Sequence, residues 1–213
     1  MTSVAPIDPA RCLVSGGAAL GIPLDEAAVG RLLAFLELLG RWNLAYNLTA
    51  VRDPQEQVPR HLLDSLTVLP YLFGDTVLDL GTGAGLPGLP LAICDPDRRY
   101  CLIDGNGKKV RFVRQVVMEL GLANVEAVHC RIESYRPGRK FSTIVTRAVA
   151  AIVEIQTLAA PLLDRPGRLL VMKGRYPDDE LRHPALSDLN LAVHPLRVPF
   201  LQGDRHLIEI RRE

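Results

Sequence analysis

The 213 residues have 48% hydrophobic content and a formal net charge of +1, enough apolar material for one α/β domain of ordinary size with an appendage. No apolar run reaches membrane-spanning length, and the near-neutral charge excludes a protein that coats nucleic acid through bulk charge alone. The opening residues lack the basic head and apolar core of a signal peptide, so a cytoplasmic protein is expected.

Cysteines stand at positions 12, 94, 101 and 130, with neither a C-x-x-C pair nor ligand-like spacing to the histidines. They are expected to be small buried hydrophobes, with no disulfide framework and no metal site. The basic residues are clustered: Lys108, Lys109, Arg111 and Arg114, then 131–140, then 205–212. Each cluster reads first as a solvated face, with a basic surface near a crevice as the alternative.

In chain order, apolar residues recur at three- and four-residue intervals over 24–44, with Asp25 and Glu26 favourable in a first turn. This predicts an amphipathic helix. Residues 41–53, RWNLAYNLTAVRD, hold the only Trp and read as a shaped polar turn. A second helix is expected near Pro54, carrying Arg60, His61, Asp64 and Ser65, with His61 in a structural role. Residues 1–74 are therefore expected to form a helical cap on a main domain of 75–213.

The stretch TVLDLGTGAGLPG at 76–88 predicts a strand, a tight turn and a helix start. Gly81, Gly83 and Gly85 alternate through the turn, allowing a sharp bend and close approach of backbone to ligand. Pro87 suits the first turn of a helix. A dinucleotide fingerprint starting at Gly81 would need glycine where Leu86 stands, and a frame on Gly83, Gly85 and Gly88 starts far from the strand. The pattern acidic-x-G-x-G-x-G resembles instead the first motif of Rossmann-like S-adenosylmethionine (SAM) methyltransferases.

Strands are then expected at 99–104, 124–130, 142–146 and 168–172, a helix at 108–120 closed by Gly121, and a hairpin pairing 191–200 with 205–211 around Gln202-Gly203-Asp204. Such alternation predicts a mostly parallel sheet with right-handed crossovers. Ligands of such sheets sit beyond the carboxyl ends of the strands. Asp104 ends the second strand about twenty residues after the glycine turn, where a carboxylate can accept both hydroxyls of a ribose. Ile132 and Glu133 follow the third strand, where a backbone amide and a side chain can meet an adenine edge. Arg147 and Lys173 end the fourth and fifth strands as cations facing a substrate.

After the fourth strand the chain reads TRAVA, not the Asn/Asp-Pro-Pro-aromatic run that amino-methylating enzymes place there, and neither Cys101 nor Cys130 follows a Pro as an attacking thiolate would. W-N-x-x-Y-N-L-T at 42–49, R-H-x-x-D-S at 60–65, D-x-G-T-G-x-G-L-P-G at 79–88, K-x-V-R-F and Arg147-Ala148 together resemble the RsmG (GidB) family. The resemblance covers nearly the whole chain. It implies a Rossmann-like methyltransferase fold with a seven-stranded, mostly parallel sheet, a C-terminal antiparallel hairpin and an N-terminal helical cap. It also implies SAM as cofactor, and N7 of a guanine in the decoding-region hairpin of 16S rRNA, in the small ribosomal subunit, as target.

Carried over by position, the cofactor contacts would be Gly81, Gly83, Gly85, Leu86, Asp104, Ile132, Glu133 and Arg147, with Arg147, Arg131 and Arg205 at the active site or on RNA. Gly105-Asn106-Gly107 departs from the family pattern, leaving that loop without an assigned role. A monomer that binds neither metal nor membrane is expected. Two alternatives remain open: a nucleotide-binding or NAD-dependent protein using the shifted glycine frame, and a noncatalytic ribosome-assembly factor.

Overall fold

Short, uninterrupted apolar strands are stable only where both faces of a sheet are covered. β1 (Thr76–Leu80), β2 (Arg99–Asp104) and β4 (Phe141–Arg147) are buried along nearly their whole length. In the computed structural model, which describes residues 8–147 and 150–213, they form the middle of a seven-stranded sheet. With β3 (Val125–His129), β5 (Leu163–Lys173), β6 (Asn190–Pro195) and β7 (His206–Arg212) the order is β3-β2-β1-β4-β5-β7-β6. The pairs from β3 to β5 are parallel, and β7 runs antiparallel to both β5 and β6. The strand order reverses between β1 and β4, so a crevice opens beyond their carboxyl ends.

The period of two along each strand splits the core into two layers. Val77, Leu102 and Val145 face α5 (Gly88–Cys94), α6 (Gly107–Leu120) and the N-terminal helices, while Leu78, Cys101 and Ile144 face α7 (Ile152–Ala159). α1 (Pro9–Ala19) and α2 (Glu26–Tyr46) contribute Leu13, Leu32 and Phe35 to the first layer, so the helices before β1 share one hydrophobic core with the sheet. The second layer is closed at its rim by α8 (Asp178–Leu181), whose Leu181 packs against it.

Helix boundaries follow their caps. Asp25 accepts the amide of Ala28 at 2.7 Å, which starts α2 at Glu26, and Asn47 in the left-handed conformation ends it. α6 buries Val110, Phe112, Val113 and Val116, and Phe112 meets Phe35 of α2 with centroids 6.3 Å apart. Gly121 closes α6 in the left-handed conformation.

Two expectations change. The hairpin is longer in its connection: β6 stops at Pro195, which pairs with His206, so 196–205 bridges the strands instead of a turn at Gln202-Gly203-Asp204. Pro195 and Pro199 lack the N–H a ladder needs, and Phe200 takes a left-handed φ of 63°. The helix from Pro54 is not regular either: α3 (Pro54–Gln57) passes into a π-helical turn, Val58–Leu63, before α4 (Asp64–Leu66). Pro59 has no amide to donate inside a helix, and a wider turn accommodates the missing bond. Of the cysteines, all free, Cys12 and Cys101 are buried and Cys94 and Cys130 half-buried. The opening segment 1–7 and Ala148 of the Arg-Ala motif lie outside the described residues.

The π turn carries His61 into the interior, where Nε2 meets Thr49 Oγ1 at 3.0 Å and Nδ1 has no partner among the described residues. Burial, reinforced by the Arg147 charge, holds the imidazole neutral down to about 4. The unfolded chain protonates near 6.5, so between these values the unfolded state binds more protons and stability falls as pH falls. Its contribution is intact above about 6.5 and shrinks by about 3 kcal/mol on reaching pH 4. The difference in denaturant-derived stability between wild type and His61→Gln should be flat at neutral pH and shrink through that window. A difference independent of pH would show that His61 protonates freely in the native state.

Gly88 sets the approach of α5 to the sheet: a Cβ there would stand 2.6 Å from Asp79 Oδ2 and 2.8 Å from Leu102 Cγ. Gly88→Ala should therefore lower the urea midpoint, with a loss of about 1–3 kcal/mol and an unchanged m-value.

Candidate functional site

The crevice is shaped first by a buried charge. Asp79, fully buried in β1, accepts the Thr82 hydroxyl at 2.6 Å and the Gly88 amide at 2.8 Å through Oδ2, while Oδ1 has no partner among the described residues. Burial pushes its carboxyl up to about 6 against the pull of those hydrogen bonds. The two bonds tie the end of β1 to the start of α5 across the glycine turn. Gly81, Gly83 and Gly85 all have positive φ, at 70°, 60° and 82°, so the alternation seen in the sequence is a conformational requirement.

Asp104, at the end of β2, stands against this turn. Its Oδ2 accepts the Gly83 amide at 2.9 Å and its Oδ1 the Asn106 amide at 2.7 Å. A carboxylate has about four lone-pair sites, so both oxygens keep acceptor capacity. Asn106 in turn caps α6 through the Lys108 amide at 3.0 Å. A Cβ on Gly105 would come within 3.2 Å of Arg131, and one on Gly107 within 3.1 Å of the His129 ring. The Gly105-Asn106-Gly107 loop thus has a structural role: it starts α6 and fits closely under the end of β3.

Two cavities lie side by side along the carboxyl edge. The first, about 360 Å³, is lined by Gly81, Asp104, Arg131, Ile132 and Glu133, with Lys109 at one wall and Ile155 of α7 at another. The second, about 370 Å³, is bounded by the π turn, the ends of β4 and β5 and the start of β7. Both volumes fall in the range of roughly 300–1,000 Å³ typical of small-molecule sites. Thr146 lines the first and its neighbour Arg147 the second, so β4 is the partition between them.

Charge in the second cavity is organised by Asp64, whose side chain is 5% exposed. It accepts Arg205 Nε at 2.9 Å and Arg147 Nη1 at 3.4 Å, and the same Nη1 lies 3.4 Å from the Arg60 carbonyl. Asp64 thus joins a helix before β1 to residues at the ends of β4 and β7. His61 and Thr49 line the same cavity. Lys173 differs from its expected role as a free strand-end cation. Its Nζ is held by Glu180 at 2.8 and 3.0 Å and by the Ala150 carbonyl at 3.0 Å, and Glu180 also accepts the Ile152 amide at 2.7 Å. Lys173 is a brace between β5, α7 and α8.

Of the residues singled out from the sequence, Gly81, Asp104, Arg131, Ile132 and Glu133 meet at the first cavity, and Arg147 and Arg205 at the second. Gly83, Gly85 and Leu86 line neither: Gly83 acts through its amide on Asp104, and Leu86 is packed in the core. Asp64 was named on its helix without a role in the site, and Glu180 was missed. For Asp64 the available signal was an acid inside an apolar helical run, since a carboxylate is seldom buried unpaired; Glu180, in the acidic run 178–180, carried no such signal. Among the described residues no cluster of His, Cys, Asp and Glu could hold a metal ion, and no helix is long and apolar enough to cross a membrane.

The likeness to solved structures extends over the fold. Magnesium protoporphyrin IX methyltransferase from Synechocystis PCC 6803, with bound SAM, covers 99% of this chain and is itself wholly covered, with a TM-score of 0.59 and 16% identity. A SAM-dependent methyltransferase from Aquifex aeolicus gives a TM-score of 0.56 over 76% of this chain and 94% of its own, at 20% identity. Sequence relatives are much nearer. The ribosomal RNA small subunit methyltransferase G of Ectopseudomonas mendocina is 52% identical over 204 residues, 94% of each chain. That of Methylococcus capsulatus is 53% identical over 181 residues, 85% of this chain and 88% of its own. The family model described as rRNA small subunit methyltransferase G matches residues 29–208, and the chain belongs to this family, GidB.

Proposed function

We propose that this protein is a SAM-dependent methyltransferase acting on 16S rRNA of the small ribosomal subunit, at N7 of a guanine. The observation that carries the reading is the pair of adjoining cavities separated by β4, one framed by a glycine turn and a carboxylate, the other by arginines. The first suits a nucleoside-bearing cofactor. Gly81 exposes backbone, Asp104 has acceptor capacity for a ribose diol, and Ile132 and Glu133 present an apolar side chain and an acceptor for an adenine edge. When bound there, SAM supplies an electrophilic methyl group on a sulfonium.

The second cavity suits a nucleotide carrying phosphate. Arg147 and Arg205 share the single carboxylate of Asp64, and Arg60 and His206 add to its basic lining. In this cavity the residues bind and orient; none is needed to remove a proton. N7 of guanine has an in-plane lone pair and no hydrogen, so alignment with the methyl carbon is the main requirement. His61, held neutral down to about 4 and bonded to Thr49, is a wall of this cavity rather than a base working near neutral pH. The N7 assignment is supported by the family resemblance, by the absence of an amine-holding motif and by a site that needs no general base.

The reading is tested by incubating the protein and SAM with small-subunit rRNA from a strain lacking the modification, followed by nucleoside mass spectrometry. The expected product is N7-methylguanosine; SAM binding without any methylated nucleoside would mark a noncatalytic assembly factor. Asp104→Ala should leave the fold intact and weaken SAM about ten- to one-hundred-fold, the loss of roughly 1.5–3 kcal/mol of charge-assisted hydrogen bonding. Titration calorimetry reads this directly, and an unchanged dissociation constant would remove Asp104 from the cofactor site.

A further inference from the structure

The N-terminal half of α6 breaks a local rule. Lys108 and Lys109 occupy its first turn, which has no acidic residue, so their charges face the positive end of the helix dipole. Arg111 and Arg114 extend the run, and the acid of this helix, Glu119, lies at the far end with Gln115 and Arg41. Lys108, Arg111 and Arg114 are exposed. Among the described residues none of the three forms an ion pair. Arranged this way the charges oppose the helix dipole, which the Asp104 carboxylate beside the Asn106 N-cap counters in part.

They also share a shape. Lys108, Arg111, Arg114 and His129 border an open groove of about 570 Å³ floored by Val110. Arg114 is not loose: its Nε donates to the Ala127 carbonyl at 3.0 Å, and His129 Nε2 lies 3.1 Å from the Gly105 carbonyl. The three cations recur every third residue, about 9 Å along the helix axis, a length matching two to three phosphates of one nucleic-acid strand. Lys109 and Arg131, their chain neighbours, line the first cavity, so the groove opens onto the same edge as both cavities.

We infer that this groove is a docking surface for the phosphate backbone of the rRNA substrate, separate from the pocket that receives the modified base. The inference rests on the rRNA reading above and specifies how the substrate is gripped. From β3 to β5 the edge crosses four inter-strand steps of about 4.8 Å, so groove and second cavity stand roughly 20 Å apart. One strand reaching both needs about six nucleotides at 3.4 Å each. The groove anchors structured RNA and contributes nothing to methyl transfer itself.

The test compares Arg111→Gln/Arg114→Gln with Lys140→Gln/Arg165→Gln, which removes equal charge from the opposite, amino-terminal edge of the sheet. Binding of purified 16S rRNA is measured against salt, together with SAM affinity and single-turnover methylation at saturating rRNA. The groove variant should bind rRNA about tenfold more weakly. Its log–log salt slope should be shallower by about 1.5–2, with SAM affinity and saturated rate unchanged. The control should match wild type. Equal rRNA affinity and slope in the groove variant, or an equal loss in the control, would overturn the docking surface. A wild type that binds rRNA through the groove yet yields no methylated nucleoside would instead overturn the enzymatic reading and leave the groove standing.

Discussion

A carboxylate sealed from water holds the site together. Asp79 spends one oxygen on the Thr82 hydroxyl and the Gly88 amide, and this fixes the angle at which α5 leaves the glycine turn. The first cavity and the start of α6 refer to that turn. Gly83 can reach Asp104 because the turn is held, Asp104 can start α6 through Asn106 because Gly83 steadies it, and α6 then carries its basic face alongside the cavity. Burying a charge to do this is unfavourable, and the rise of its carboxyl to about 6 is the sign of that cost.

Much of this was legible in the residues. Strand β2 falls on the expected 99–104, and α6 and α2 lie within two residues of their expected bounds, because apolar periodicity and capping residues act locally. The glycine alternation was legible for the same reason: each of the three has a positive φ that the bare sequence implies. What the sequence hid was non-local. The partners of Asp64 lie 83 and 141 residues further along the chain, and no periodicity encodes that meeting. Lys173 looked available because Glu180 follows it through a turn that no pattern predicted. The π turn and the early end of β6 both trace to prolines whose presence was visible but whose consequence depends on neighbouring elements.

The two cavities are built by opposite strategies. Around the first, one wall is the glycine turn, held where the Gly83 amide meets Asp104, and the others are apolar side chains such as Ile132 and Ile155 with Lys109, Arg131 and Glu133 at the rim. Around the second, long cations gather about a single carboxylate, and the geometry rests on side chains with many rotatable bonds.

The Asp64–Arg205 contact also bears on the order in which the protein acquires its parts during synthesis. The lining of the first cavity is complete once Leu158 has been made, whereas the second waits for Arg205 and His206 near the end of the sequence. A nascent chain thus has the residues of the glycine-turn cavity well before it has those of the arginine-lined one. Closing a contact across 141 residues carries a loop entropy that only the docked β7 strand repays. The residues of the arginine-lined cavity are therefore the later of the two sets to be made, and their contact is the longer in sequence.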